Sequence, residues 1–175
     1  SGQPGPALLL RSELDALPIE EINTFTHRSS VAGISHKCGH DGHSSILCGV
    51  AELLAQQRPS KGKVHLLFQP AEETGAGAEA VLNDARFSSI TPDMAIALHN
   101  FPGYPHHSVI IKKGIFTAAV SSLILCLRGK TAHASQPEYG LNPALAVAEL
   151  LQRSDAYNLN DPASEDFQLV TPVHA

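Results

Sequence analysis

Apolar positions along this chain switch between two periods, and the switches predict its elements. Leu8-Leu9-Leu10 follows a Gly/Pro-rich start and reads as a short buried strand. It runs into Ser12-Glu13-Leu14-Asp15-Ala16-Leu17-Pro18, and acids at a strand's end are typical of the active edge of an α/β sheet. Residues 19–35 are polar without a clear period, as in a surface loop. From His43 to Gln57 the period becomes helical, with Ile46, Val50, Leu53 and Leu54 inward, and the pattern stops before Pro59 and Gly62. Lys63-Val64-His65-Leu66-Leu67-Phe68-Gln69 is nearly continuous in apolar residues and ends at Pro70, which predicts a central strand buried on both faces. A short helical pattern with Ala78, Val81 and Leu82 follows, then a third apolar strand, Met94-Ala95-Ile96-Ala97-Leu98, ending in His99-Asn100.

His107 to Lys112 reads as one further strand, and after Lys113-Gly114 the character shifts. Ala119 to Arg128 has a longer strand pattern, running into Gly129-Lys130-Thr131-Ala132-His133-Ala134. Asn142 is placed to cap a helix with Pro143 at its first position and Ala144 to Gln152 behind, turning Leu145, Ala148 and Leu150 or Leu151 inward. Phe167 to Val173 predicts a last strand. Two units are expected, residues 1–113 and 114–175, and no internal repeat or low-complexity tract is present.

Composition narrows the function. With 175 residues, 43% of them hydrophobic, the chain can build a packed core. A net charge of -5, without a Lys/Arg run, offers no electrostatic footprint for nucleic acid or an anionic membrane, so a small molecule or peptide is the expected partner. Cys38, Cys48 and Cys126 are too few and too scattered for a disulfide framework, which points to a reducing, cytoplasmic setting. No apolar run reaches the eighteen or so residues that spanning a bilayer requires. The chain opens without Met in a Gly/Pro turn and closes in mid-pattern at Val173-His174-Ala175, so a fragment of a longer protein is expected.

The chemistry gathers at His36-Lys37-Cys38-Gly39-His40-Asp41-Gly42-His43. Imidazole, thiolate and carboxylate hold zinc, cobalt, nickel or manganese, and the glycines let the backbone fold closely around an ion. Cys38 and His40 are two apart, which sends them to opposite faces of a helix but lets them converge in a loop. Glu72-Glu73 and His99 then arrive at the ends of two apolar strands. A pair of adjacent carboxylates can divide its labour, one binding a metal while the other moves the proton of a water. Blander readings apply elsewhere. His65 reads as a satisfied core histidine, Cys48 and Cys126 as inert core, and Glu20-Glu21, His27 and His106-His107 as surface. His36 and His43 have only proximity in their favour.

Five blocks in order, Arg11 to Pro18, His36 to His43, Gln69 to Gly75, Leu98-His99-Asn100 and Gly129 to Ala134, resemble the aminoacylase and carboxypeptidase-like binuclear metallohydrolases. The closest branch is the amidohydrolases that include hippurate hydrolases, N-acetyl-diaminopimelate deacetylases and indoleacetyl-amino-acid hydrolases. The resemblance implies a catalytic α/β domain with two divalent metal ions (Zn, Mn, Ni or Co) and an inserted α+β lid and dimerisation domain, here cut short. It implies that Cys38, His40, Glu73 and His99 bind metal, with Cys38 able to bridge two ions. Glu72 becomes the general base, and His133, from the partner subunit of a homodimer, reaches the substrate's carbonyl or carboxylate. Asp15 and Asp41 become groups that orient ligands. The implied reaction is hydrolysis of the amide of an N-acyl amino acid or small peptide by metal-activated water.

Two departures qualify this. Other branches carry a metal-binding His where Glu13 stands, which favours the thiolate-using branch. The family also takes a last metal-binding His from a C-terminal part of the catalytic domain, and nothing corresponds to it, His174 being a poor substitute. The 175-residue chain alone is therefore expected to be weakly active at best. A thiol hydrolase with Cys38 as nucleophile, and an inactive fragment that binds metal or amino-acid conjugates, are the alternatives.

Overall fold

The apolar run Leu8-Leu9-Leu10 lies inside a strand, β1 (Ala7–Glu13), that becomes the middle of a three-stranded parallel sheet. The computed structural model describes residues 2–159, 161, 164 and 166–173; His174 lies outside them. The chain divides into two units, residues 1–106 and 107–175. The boundary expected from sequence falls after residue 113.

In the first unit β1 pairs with β2 (Lys63–Gln69) from Ala7↔Lys63 to Glu13↔Gln69, and on its other side with β3 (Met94–Ala97) from Leu8↔Met94 to Arg11↔Ala97. The order β2-β1-β3 corrects the expectation that residues 63–69 form the central strand. The run had the apolar content of a central strand, but β1 takes the position because both other strands ladder onto it. The chain leaves β1 to one side and returns on the other, so a topological switch point opens at the carboxyl end of β1. Because all three strands are parallel, Asp15, Glu72-Glu73 and His99 leave the same edge.

Helix α1 (His40–Gln56) connects β1 to β2 and packs against both. Its buried stripe is His40, His43 and Leu47, at helical spacing. The expected apolar stripe is only half right: Val50 and Leu54 are half-buried, whereas Ile46 and Leu53 are exposed. The pattern misled because polar imidazoles, not aliphatics, fill the inward positions of the first turns. Helix α2 (Gly77–Asn83) connects β2 to β3. Leu9 and Leu47 are the buried hydrophobic residues, and around them lie buried polar ones, Ser12, Glu13, Ser35, His40, His43 and Gln69. β3, expected to be buried, is exposed along its length; no helix packs over it in this unit among the described residues.

Residues 19–39 are irregular, as expected, but fastened. Leu17 and Ser35 exchange main-chain hydrogen bonds of 3.0 Å, and Ser35 Oγ donates to the Ile19 carbonyl. Glu20-Glu21, read as plain surface, also hold this loop: Glu20 accepts the Gly33 amide, and Glu21 pairs with Lys37. The Lys37 ammonium draws the Glu21 carboxyl down to about 2.

The second unit contains helix α3 (Ala144–Ser154). Asn142 Oδ1 accepts the Ala144 amide at 3.0 Å, so Asn142 caps as expected, with Pro143 between. Leu145, Ala148, Leu150 and Leu151 are exposed rather than inward; Val147 is half-buried. The strands expected over 107–112, 119–128 and 167–173 do not form among the described residues, where only the single bridges Lys130↔Leu141 and Leu159↔Gln168 occur. An apolar run becomes a strand only when a neighbouring backbone completes its ladder. Cys48 and Cys126, read as core, are exposed free thiols. Among the described residues no helix is long and apolar enough to cross a membrane.

Candidate metal centre

Three features converge at the sheet's carboxyl edge: the Cys38-Gly39-His40 bend into α1, the Glu72-Glu73 loop after β2, and His99 after β3. Gly39 is the N-cap of α1 at φ 88. A Cβ there would stand 2.8 Å from Asn100 Oδ1, so glycine is required twice over, by backbone conformation and by contact. This bend resolves the spacing problem, because Cys38 precedes the helix and His40 begins it. Cys38 Sγ reaches His99 Nε2 at 3.5 Å, and His40 Nε2 lies 3.7 Å from Glu72 Oε2 and 3.8 Å from Glu73 Oε1. Gly39→Ala is expected to destabilise the protein by about 1–2 kcal/mol and to weaken metal binding; thermal unfolding and a metal titration of the variant check both, and wild-type values would refute the bend's role.

Hydrogen bonds at the far ring nitrogens determine what each histidine presents. His40 Nδ1 is 2.9 Å from the Asp15 carbonyl, and His99 Nδ1 is 2.7 Å from the Asn100 carbonyl. A carbonyl only accepts, so both Nδ1 atoms carry the proton and both Nε2 atoms keep a lone pair. His40 is fully buried, and its Nε2 has no hydrogen-bond partner among the described residues. A buried polar atom left unpaired costs roughly 1–3 kcal/mol, and this one faces Glu72 and Glu73. Ligand atoms of Cys38, His40 and His99 lie within 4.8 Å of one another, as do those of His40, Glu72 and Glu73. A thiol, two imidazole lone pairs and two carboxylates around an unpaired buried nitrogen fit a divalent metal.

The third cluster of the same kind, Glu13, His40 and His43, is a different object. His43 Nδ1 bonds Glu13 Oε2 at 2.9 Å, while its Nε2 accepts the Asn100 main-chain N–H at 2.9 Å and lies 2.8 Å from Asn100 Oδ1. Glu13 is also paired with Arg11, which donates to Gln69 as well. Both nitrogens of His43 are thereby committed. Sequence reasoning passed over His43 and Asn100; the signal available was the i, i+3 spacing of His40 and His43 at the start of a helix.

Local backbone strain presents the two glutamates. Ala71, just before them, has φ 52, a conformation that costs a non-glycine residue roughly 1–2 kcal/mol. Gly77 closes the loop with its amide on the Ala71 carbonyl, and a Cβ there would fall 1.6 Å from the Pro70 carbonyl oxygen. Asp15 ties the loop to His40: its Oδ2 accepts the Glu73 amide at 3.0 Å, and its Oδ1 lies 3.3 Å from His40 Nδ1. Burial works to raise the Asp15 pKa, but the Glu73 and Glu72 amides and the His40 ring outweigh it and hold the carboxyl below its ordinary range. Cys38 moves the other way. Burial, then a hydrogen bond to Glu73 and the charges of Glu73, Glu72 and Glu13, push its thiol up to about 11.

Asp41 is exposed and accepts the neighbouring Gly42 amide; the structure does not bring it to the cluster. His133 belongs to the second unit. Its Nδ1 accepts the Ser135 amide at 3.2 Å with the Ser135 hydroxyl at 2.8 Å, so its Nε2 carries the proton. His133 therefore offers a donor where His40 and His99 offer lone pairs.

Residues 9–174 match the family described as peptidase family M20/M25/M40. An N-acetyl-L-cysteine deacetylase of Bacillus subtilis is 45% identical over 148 residues, which are 84% of this chain and 35% of that one. A hippurate hydrolase of Campylobacter jejuni is 35% identical over 142 residues, 81% of this chain and 37% of that one. A solved Bacillus subtilis structure, described as a dinuclear metal-binding peptidase of the M20 family, superposes with a TM-score of 0.55 at 40% identity, over 59% of this chain and 29% of that one. The chain thus spans little more than a third of the length of these curated relatives.

Proposed function

The chain belongs to peptidase family M20/M25/M40, and on that premise we propose that it carries the metal-binding face of an amidohydrolase acting on N-acyl amino acids or small peptides. The buried, unpaired Nε2 of His40, aimed at two carboxylates and held in its tautomer by Asp15, carries this reading. Cys38, His40, Glu73 and His99 hold two divalent ions, Zn, Mn, Ni or Co. When bound, the ions polarise the amide carbonyl and ease the ionisation of water. Glu73 is the ligand of the glutamate pair: its carboxylate acts more strongly on the Cys38 thiol than that of Glu72, and its amide donates to Asp15 Oδ2. Glu72 remains as general base: it takes the proton of the attacking water and returns it to the leaving nitrogen, giving a carboxylic acid and an amine. Asp15 keeps the proton of His40 on Nδ1. His133 donates from Nε2 to the substrate's carbonyl or carboxylate oxygen, in a homodimer formed through residues 114–175. Three free thiols suit a reducing, cytoplasmic setting.

A panel of acetyl, benzoyl and indoleacetyl amino acids, assayed with elemental analysis of the purified protein, tests the reading. Amide hydrolysis of at least one conjugate, with metal bound, is expected. Tight binding of a conjugate without turnover in the full-length protein would refute it in favour of a non-catalytic binding role.

A further inference from the structure

Three hydrogen bonds in series run from β1 to His99, the first proposed ligand on the path, and a fourth contact joins His99 to Cys38. Glu13 Oε2 meets His43 Nδ1 at 2.9 Å; His43 Nε2 takes the Asn100 N–H at 2.9 Å; the Asn100 carbonyl takes His99 Nδ1–H at 2.7 Å; and His99 Nε2 faces Cys38 Sγ at 3.5 Å. The start of the series is anchored: Glu13 and His43 are each 1% exposed. Arg11 holds the second oxygen of Glu13, and Ser44 Oγ donates to the Glu13 carbonyl at 2.6 Å. Asn100 is the joint, because its side-chain amide also stands where a Gly39 side chain would be, between Cys38 and His40. The His43 ring itself lies edge-on to His99 at 4.6 Å.

We propose that His43 is a positioning residue for the metal centre: it holds the Asn100 backbone, which in turn fixes the tautomer and aim of His99 toward Cys38. The proposal rests on the reading of Cys38, His40 and His99 as ligands. His43 is not itself a ligand, since each ring nitrogen already has a partner. His99 and Asn100 follow an exposed strand on an irregular segment, and this tether ties them to the buried His43. Outer hydrogen-bond partners of metal-binding histidines are worth about 10–100-fold in affinity, and that is the range expected here.

Cobalt(II) titration of the full-length protein, followed by visible absorption, tests this without turnover. His43→Leu is expected to lower cobalt affinity 10–100-fold and to weaken the thiolate-to-cobalt band, by letting His99 and Cys38 drift apart. His43→Gln, whose amide can donate to Glu13 and accept from Asn100, is expected to recover most of both. A folded His43→Leu protein with unchanged affinity and spectrum would overturn the proposal. If that variant does not fold, cadmium NMR of the unsubstituted protein decides: nitrogen–cadmium coupling at His40 and His99 but not His43 supports it, and coupling at His43 overturns it. No cobalt binding by the unsubstituted protein would instead remove the metal-site reading, and this proposal with it.

Discussion

Replacing Glu72 by Gln in the full-length protein is expected to lower kcat about 10²–10⁴-fold while leaving the metal content unchanged. The substitution keeps size and hydrogen-bonding reach but removes the basic oxygen that receives a proton. Glu72 and Glu73 stand almost equally far from His40 Nε2, at 3.7 and 3.8 Å, so distance alone does not separate their roles. Their surroundings favour Glu73 as the ligand: its carboxylate acts more strongly on the Cys38 thiol than that of Glu72, and its amide donates to Asp15 Oδ2 at 3.0 Å. Glu73→Gln is therefore expected to lose metal together with activity, whereas Glu72→Gln loses activity alone. Steady-state kinetics and elemental analysis of both variants check the division. A Glu72→Gln enzyme with near-normal kcat would end the general-base assignment.

Removing metal with a chelator is expected to abolish turnover, and adding back zinc, manganese, nickel or cobalt to restore it. The rival chemistry, with Cys38 as a nucleophile, predicts indifference to chelator and inactivation by iodoacetamide. The structure weighs against that rival. A nucleophilic thiol needs a lowered pKa, yet burial first, and the neighbouring carboxylates after it, raise the Cys38 thiol to about 11. Near neutral pH the metal-free thiol keeps its proton, and a thiolate forms there when a cation replaces it. Chelator-resistant activity that iodoacetamide destroys would reverse this conclusion.

The parts of the site that were legible in the sequence are those carried by residue type and by short-range punctuation. Cys38 and His40 around a glycine, Glu72-Glu73 after a strand that stops at proline, and His99 after a second strand each have a local signature, and five such blocks in order carried the family resemblance. Asp15 could be assigned an orienting role on the same basis, and it bonds both His40 and the Glu73 amide. Asp41 had the same kind of claim but points to its own helix turn. His43 looked like a bystander. Its worth depends on Glu13 and Asn100, which are 30 and 57 residues away, and no local pattern reports such partners.

Misreadings of packing have a common cause. Hydrophobicity marks residues able to be buried, and it does not say what will cover them. Residues 63–69 had the composition of a central strand and became an edge in this sheet. Ile46 and Leu53 were assigned inward although the histidines held that stripe, and the apolar segments after residue 107 found no ladder among the described residues.

By itself, then, the sequence determined the α/β succession, the donor types and their place at strand ends, because these follow from periodicity and side-chain chemistry within a few residues. Only the tertiary structure decided which donors meet, which nitrogen each histidine presents, and which carboxylate is clamped. Those outcomes depend on hydrogen bonds between β1, the start of α1 and the loops after β2 and β3, segments that are far apart in the chain and adjacent only because three parallel strands end at one edge.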